Sequence, residues 1–268
     1  MHPIHFIPII SLIFLSQDLS NQVTAKNTTT QFNRLISAKG VNIYQKAVIS
    51  HLEYVTILDL RQAKLQNLAG KISLEESESI EKQQLAKFWQ DAVKHNTKKH
   101  QIKVIVNGTF FSTNNQPTGI AFGLKIQNHL ITSGYGVANE YPGQIRTFAF
   151  NSSLNFASIQ PYSPSIFENF SDVIGGLDIQ ADKSANKYLP RTFIGIKDSD
   201  KDGLSETVII YSSNYARQID ASHTLRNFGA TSQVMLDGGG STGLIVDGKP
   251  LITTNRPIPH ALAVYAGR

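Results

Sequence analysis

An apolar triplet, Val234-Met235-Leu236, runs directly into an acid, three glycines and two hydroxyls: Asp237, Gly238, Gly239, Gly240, Ser241 and Thr242. The triplet reads as a short buried strand with Asp237 at its end. Three successive residues without Cβ lose much freedom on folding, and a hairpin needs positive φ at only one or two positions. The run instead suits a backbone that another molecule approaches closely. Successive N–H groups there can converge into a nest that binds an anion. The Asp237 carboxylate beside them can serve as nucleophile, base or metal ligand. Ser241 and Thr242 add neutral hydrogen-bonding groups.

Two other strand ends carry polar groups. Asn107-Gly108 closes the apolar run Ile102 to Val106, and Arg191-Thr192 opens the run Phe193 to Ile196. Arg256 and His260 follow the glycine run. Arg191 and Arg256 can clamp a phosphate through bidentate contacts, and Asn107 can orient a sugar hydroxyl. Tyr135 and Tyr141 can line a sugar cleft, although aromatics at strand ends usually pack. The set describes an anionic, sugar-like or phosphate-bearing ligand better than a hydrophobic one.

These groups need strands and turns to hold them. Val41 to Leu60 carries alternating apolar runs and reads as two strands. Ser73 with Glu76 has capping-box spacing, and Leu74, Ile80, Leu85, Phe88, Trp89 and Val93 predict a helix from Leu74 to about Thr97. Residues 120 to 160 are strand-like, with turns at Gly134, Gly136 and Pro142-Gly143, and Pro164 to Phe170 is a short helix. Phe193 to Ile196 and Thr207 to Tyr211 flank an acidic turn as a hairpin. Asp220 to Phe228 reads as a helix closed by Gly229 at its C′ position. Asp247-Gly248 marks another hairpin, and Ala261 to Tyr265 a last strand. Strands and helices mix without βαβ alternation, so the expected fold is α+β: a single domain with a mixed β-sheet and a few packed helices.

The 268 residues, 41% hydrophobic, suffice for one large core, and no repeat or linker divides them. The net charge of +5 is thinly spread; its one concentration, Lys94-His95 with Lys98-Lys99-His100, falls at a predicted helix end where cations suit the dipole. No nucleic-acid motif accompanies it, so nucleic acid is not an expected partner. Cysteine is absent, which excludes disulfides, thiolate metal sites and a cysteine nucleophile. Ile4 to Leu15 is almost wholly apolar and too short for a membrane span, and Val23-Thr24-Ala25 supplies a small-residue cleavage pattern. Residues 1–25 thus resemble a secretory signal peptide, with His2 and His5 where Lys or Arg is usual. Residues 26–39 read as a flexible lead and 40–268 as the domain. The expected location is secreted or periplasmic, with no stable membrane span once the signal is removed.

Asn107-Gly-Thr-Phe-Phe111, Arg191-Thr192, Leu236-Asp-Gly-Gly-Gly-Ser-Thr242 and Arg256-Pro257 together resemble the phosphodiester glycosidase family, across roughly residues 40 to 268. Ile174-Gly175-Gly176 is similar to the family's mid-chain glycine pair. The family usually has a second glycine where Thr109 stands and an Asn where His260 stands, with Pro259 before it; the second departure bears on substrate more than on fold. The resemblance implies hydrolysis of a sugar-1-phosphodiester to free sugar and a phosphomonoester. Its implied site comprises Asp237, Arg191 and Arg256 at the chemistry, with Asn107, Gly108, Thr192, Gly238 to Gly240, Ser241, Thr242 and His260 against the substrate.

The chemistry is consistent with one acid. Ordinary glycosidases pair two carboxylates because the departing alkoxide must be protonated. A departing phosphomonoester is already stable as an anion, its second pKa about 6. One carboxylate, Asp237, with cationic and backbone stabilisation of the phosphate then suffices. Attack at phosphorus would use much the same residues, so C–O and P–O cleavage both stay open. A non-catalytic envelope module that binds phosphorylated glycans through the same pocket is the alternative from another class.

No cofactor is required by these residues, and a divalent metal, though compatible, has no motif behind it. The stretch Asp198 to Glu206 places Asp198, Asp200, Asp202 and Gly203 at positions 1, 3, 5 and 6 of a calcium loop, but position 12 is Ile209 where a bidentate Glu is required. A tight acidic turn between two strands is the simpler expectation. The histidines show no paired zinc spacing, and Ser241 lacks the G-x-S-x-G elbow of a serine hydrolase.

Overall fold

The computed structural model describes residues 32–48, 51–73, 78–151 and 153–268. The expected signal peptide and Glu76 of the expected capping box lie outside them. The architecture follows from strands that are apolar on both faces. In β13 (Leu189–Lys197), Ile194 and Ile196 face one side and Phe193 the other; in β14 (Thr207–Ala216), Val208 and Ile210 oppose Ile209 and Tyr211. Such strands must be covered on both faces. A second sheet covers one side, with Val104, Val106, Leu262 and Val264 in the shared core. Helix α3 (Gln218–Asn227) packs on β13 and β14 from the other side, inserting Ala221 and Leu225.

The larger sheet runs β1 (Asn33–Ala38), β2 (Val41–Val48), β3 (His51–Asp59), β14, β13, β15 (Ser232–Met235), β12 (Asp172–Leu177), β10 (Ile145–Asn151), β11 (Phe156–Pro161). Two short strands, β8 (Leu124–Ile126) and β9 (His129–Thr132), extend it beside β12. The second sheet runs β17 (Lys249–Ile252), β16 (Leu244–Val246), β6 (His100–Asn107), β18 (His260–Gly267), β4 (Lys64–Ala69). A small pair, β5 (Ser79–Ile80) and β7 (Thr118–Gly119), stands apart. Part of the segment read as a flexible lead is therefore strand: Asn33 pairs with Gln45, and Ala38 with Val41.

The α+β expectation is overturned: the fold is mostly β, and the pairings among the described strands are antiparallel, so the sheet is not mixed. The described α-helices are α1 (Leu85–Val93), α2 (Ile166–Asn169) and α3. The largest error is the helix expected from Leu74. Its apolar spacing misleads because Ile80 is buried as a strand residue paired with Thr118, and the positive φ of Glu78 is incompatible with a continuous helix. Only Leu85, Phe88 and Ala92 repeat the helical period against the core.

Local turn chemistry is read correctly from sequence. Gly229 ends α3 with φ +94°, and the Asp247-Gly248 turn joins β16 to β17 with φ +47° and +79°. No described helix is long and apolar enough to cross a membrane.

Candidate active site

Antiparallel pairing puts the beginning of one strand beside the end of its neighbour. Phe193 pairs with Met235, so Arg191-Thr192 at the start of β13 lies beside Asp237, just past the end of β15. In the second sheet Ala261 pairs with Asn107, so the start of β18 meets the end of β6. The two junctions face one another. Asn107 Nδ2 donates to the Asp237 carbonyl at 2.7 Å, and the Asp237 N–H donates to the Gly108 carbonyl at 3.2 Å. Above them opens a cavity of about 610 Å³, lined among others by Phe110, Tyr135, Tyr141, Lys183, Asp237 and Arg256.

Asp237 forms the anionic floor. Removal from water pushes its carboxyl up to about 6, against the opposing pull of hydrogen bonds from Ser241 and the Gly238 N–H and of the charges on Arg256 and Lys183. The Gly238 N–H meets its Oδ1 at 2.9 Å. Gly239 then takes φ +59° and begins a 3₁₀ turn, Gly239–Ser241, in which Ser241 and Thr242 N–H groups bond back to Gly238 and Gly239. The N–H groups of Gly239 and Gly240, first in that turn, take no acceptor among the described residues. They are left as the expected anion nest would require. Gly240 has a second reason to lack a side chain: a Cβ there would stand 2.7 Å from Arg256 Nη2. The guanidinium thus lies against the glycine backbone, with Nη1 donating to Ser241 Oγ at 3.3 Å.

Arg191 lines the cavity but is held by the backbone around it. It is 3% exposed, and its guanidinium donates to the carbonyls of Ala216 (3.3 Å), Lys183 (2.9 Å), Ser184 (2.7 Å) and Lys187 (3.2 Å). Burial without a counter-ion lowers its pKa. Arg191 therefore fastens the loop 183–187 while lining the cavity, with most of its donors already spent on backbone. What that loop presents is Lys183, whose Nζ lies over the rings of Tyr141 (5.4 Å) and Phe110 (5.6 Å). Among the described residues, Lys183 and Arg256 are ion-paired with no carboxylate at salt-bridge distance. Both are exposed to the cavity and free to meet an anionic ligand.

The remaining expected contacts are structural. Asn107 is 1% exposed; its Oδ1 accepts from Thr192 Oγ1 at 2.6 Å and from the Gly243 N–H at 3.3 Å. Neither Asn107 nor Thr192 presents a side chain to the cavity. Gly108 is bare because a Cβ would fall 1.8 Å from His260 Nδ1. His260 is 1% exposed, accepts the Thr109 N–H at Nδ1 (3.2 Å) and meets Asn67 Oδ1 through Nε2 (3.2 Å). That pattern defines a neutral imidazole with its proton on Nε2, and burial pulls its pKa down to about 3. Thr109 in turn donates its hydroxyl to the Gly175 carbonyl at 2.7 Å. Ser241 sits under the nest, fully buried, and Thr242 is buried with its hydroxyl unpartnered.

The structure thus gathers Asp237, Gly238, Gly239 and Arg256 around one cavity, with Gly240 against Arg256; Arg191 also lines it, its guanidinium held by backbone carbonyls, while Asn107, Thr192 and His260 lie beneath. Sequence reading missed Lys183 and Glu140 as cavity residues. No local signal marks either: Lys183 lies in a polar turn and Glu140 in a loop, and only the fold brings them to Asp237. Tyr135 does face the cavity, its hydroxyl pKa raised by burial and by the nearby charges of Glu140 and Asp237.

Two antiparallel sheets thus bring an acid, a glycine run with bare N–H groups and two cations together at facing strand ends, a candidate anion site. The sequence profile of the phosphodiester glycosidase family matches residues 100–265, and the chain belongs to that family. Among solved structures it is similar to the catalytic domain of zebrafish N-acetylglucosamine-1-phosphodiester α-N-acetylglucosaminidase, auto-inhibited by its pro-peptide. The identity is 14% and the TM-score 0.62, over 87% of this chain and 85% of that one. It is also similar to a hypothetical protein from Synechocystis, at 12% identity and TM-score 0.59 over 85% of this chain; it spans 62% of that protein's length. At such identities the likeness is one of fold. No curated protein sequence matches.

Proposed function

We propose that this protein is an exported hydrolase that cleaves a sugar-1-phosphodiester to free sugar and a phosphomonoester. One observation carries the reading: Asp237 stands beside two unpartnered backbone N–H groups and two cations without carboxylate partners, in a cavity with aromatic walls. The phosphodiester anion docks on the N–H groups of Gly239 and Gly240, between Lys183 and Arg256. The sugar lies against Tyr135 and Tyr141. Ionised Asp237 takes a proton from water as that water attacks the anomeric carbon. The bond from that carbon to the bridging oxygen breaks, and its electron pair leaves on the phosphomonoester. The same N–H groups and cations hold the growing charge, so no general acid need protonate the leaving group. Arg191 supports the reaction by holding the loop that carries Lys183. Protein groups suffice for each step.

The test is hydrolysis of a chromogenic panel: sugar-1-phosphodiesters beside plain aryl glycosides and bis-aryl phosphates, with and without chelator, by wild type and Asp237→Asn. Turnover confined to the sugar-1-phosphodiesters and lost in the variant is expected, with ¹⁸O from labelled water found in the sugar. Label in the phosphate would move the attack to phosphorus. No turnover anywhere, with phosphorylated glycans still bound, would make the protein a binding module of the cell envelope.

A further inference from the structure

The turn between β13 and β14 lies at the end of β13 opposite Arg191, away from the cavity. There Asp198, Asp200 and Glu206 bring one carboxylate oxygen each within 4.8 Å of one another. Like charges so close repel unless positive groups meet them; Asp198 already accepts the Lys201 N–H at 2.6 Å and the Gly203 N–H at 2.8 Å, which leaves its second lone pairs for an ion. Arg61 answers part of this charge, with Nη1 at 2.8 Å from Asp200 Oδ2 and Nη2 at 3.7 Å from Glu206 Oε1. It is shared, however, with Asp59 at 3.0 Å. Glu206 is the informative member. It is 5% exposed, and its Oε1 accepts the Ser199 N–H at 3.0 Å, yet its Oε2 is buried with no hydrogen-bond partner. An anionic oxygen out of water is strongly disfavoured unless a positive group meets it.

We propose that this cluster binds a calcium ion, held by Asp198, Asp200 and Glu206. The ligands are hard oxygens without histidine or thiolate, which suits calcium and not zinc or copper. Asp200 is exposed and Asp198 partly so, leaving water free to complete a coordination sphere of about six to eight oxygens. The spacing explains why position 12 is dispensable. Ile209 is buried within β14, whereas Glu206, at position 9, reaches the cluster directly before the strand begins at Thr207. Asp202, at position 5, stays outside the cluster, accepting the Leu204 N–H at 2.8 Å. The ion would join the two arms of this turn and stabilise the fold without touching substrate.

Thermal unfolding and calorimetric titration of the purified protein test this, using calcium, magnesium and EGTA. A saturable one-site heat with calcium is expected, with Tm rising about 3–6 °C over EGTA at tenfold saturation. Glu206→Gln and Asp198→Asn should lose the heat and the shift while unfolding cooperatively in EGTA. Glu206→Gln should stay close to wild type in stability there, since it relieves repulsion within the cluster while giving up the 3.7 Å contact with Arg61. An equal Tm in calcium and EGTA with no heat, from folded wild type, overturns the proposal and leaves Arg61 as the cluster's counter-ion. A shift that persists in both variants overturns it equally, by placing the ion elsewhere.

Discussion

The side-chain amide of Asn107 donates to the backbone carbonyl of Asp237 at 2.7 Å, tying the end of β6 in one sheet to the end of β15 in the other. The packing of two sheets therefore fixes the backbone of Asp237, while Gly238 and Ser241 of its own loop orient the carboxylate. Thr192 and Gly243 fix the amide in turn. Asn107→Ala strands the Asp237 carbonyl and the Thr192 hydroxyl in the interior. It should cost about 1–3 kcal/mol of stability and lower kcat more than it raises KM, measured by denaturant unfolding and steady-state kinetics.

The raised pKa of Asp237 sets the acid limb of the rate profile. If the ionised form is the base, as proposed, kcat/KM should climb as pH rises through about 6 and level off above it. A rate that falls through that range would assign Asp237 the role of an acid.

The same shift predicts a trade of stability against function. A carboxyl raised from its ordinary 3.8 to about 6 contributes stability that is full below the ordinary value and lost as pH rises through about 6. Asp237→Asn should abolish turnover yet unfold at a higher temperature than wild type above pH 6. The difference should close below pH 4, as thermal scans across that range would register.

Lys183 and Arg191 should separate cleanly. Lys183→Ala is expected to keep its fold and lose about 10²-fold in kcat/KM, the scale of one lost electrostatic contact to the transition state. Arg191→Ala releases the carbonyls of Lys183, Ser184, Lys187 and Ala216, and should lower Tm as well as activity. Arg191→Lys should fail to restore it, because an ammonium cannot span that fork. Equal Tm values for Arg191→Ala and wild type would refute the loop-fastening role.

His260 should affect stability and leave substrate choice alone. Its pKa is depressed to about 3, so its contribution is present above the ordinary value of 6.5 and lost as pH falls toward 3. His260→Asn should flatten the stability loss of wild type between pH 7 and 4, read as the difference between two urea titrations. The substrate panel should show the same order of preference in both.

The parts of the fold legible in sequence were those governed by one residue or a two-residue period. Gly229 and Asp247-Gly248 mark their turns because positive φ is a local demand. The strands of the β13–β14 hairpin show because alternating side chains must enter different cores. The helix from Leu74 failed because Ile80 serves an apolar surface just as well from a strand, and nothing nearby in sequence says which partner it meets.

At the site, the sequence by itself determined the local chemistry: a strand ending in Asp237, a glycine run leaving bare N–H groups, and an arginine following them. These are properties of adjacent residues, since backbone freedom and strand termination act over a few positions. Only the tertiary structure decided how the cations at the cavity are held. Arg191 and Lys183 are both cationic in sequence, but burial consumes the donors of one on backbone carbonyls and holds the other over two aromatic rings. It likewise buried Asn107 and His260, whose polar atoms are engaged by hydrogen bonds within the protein.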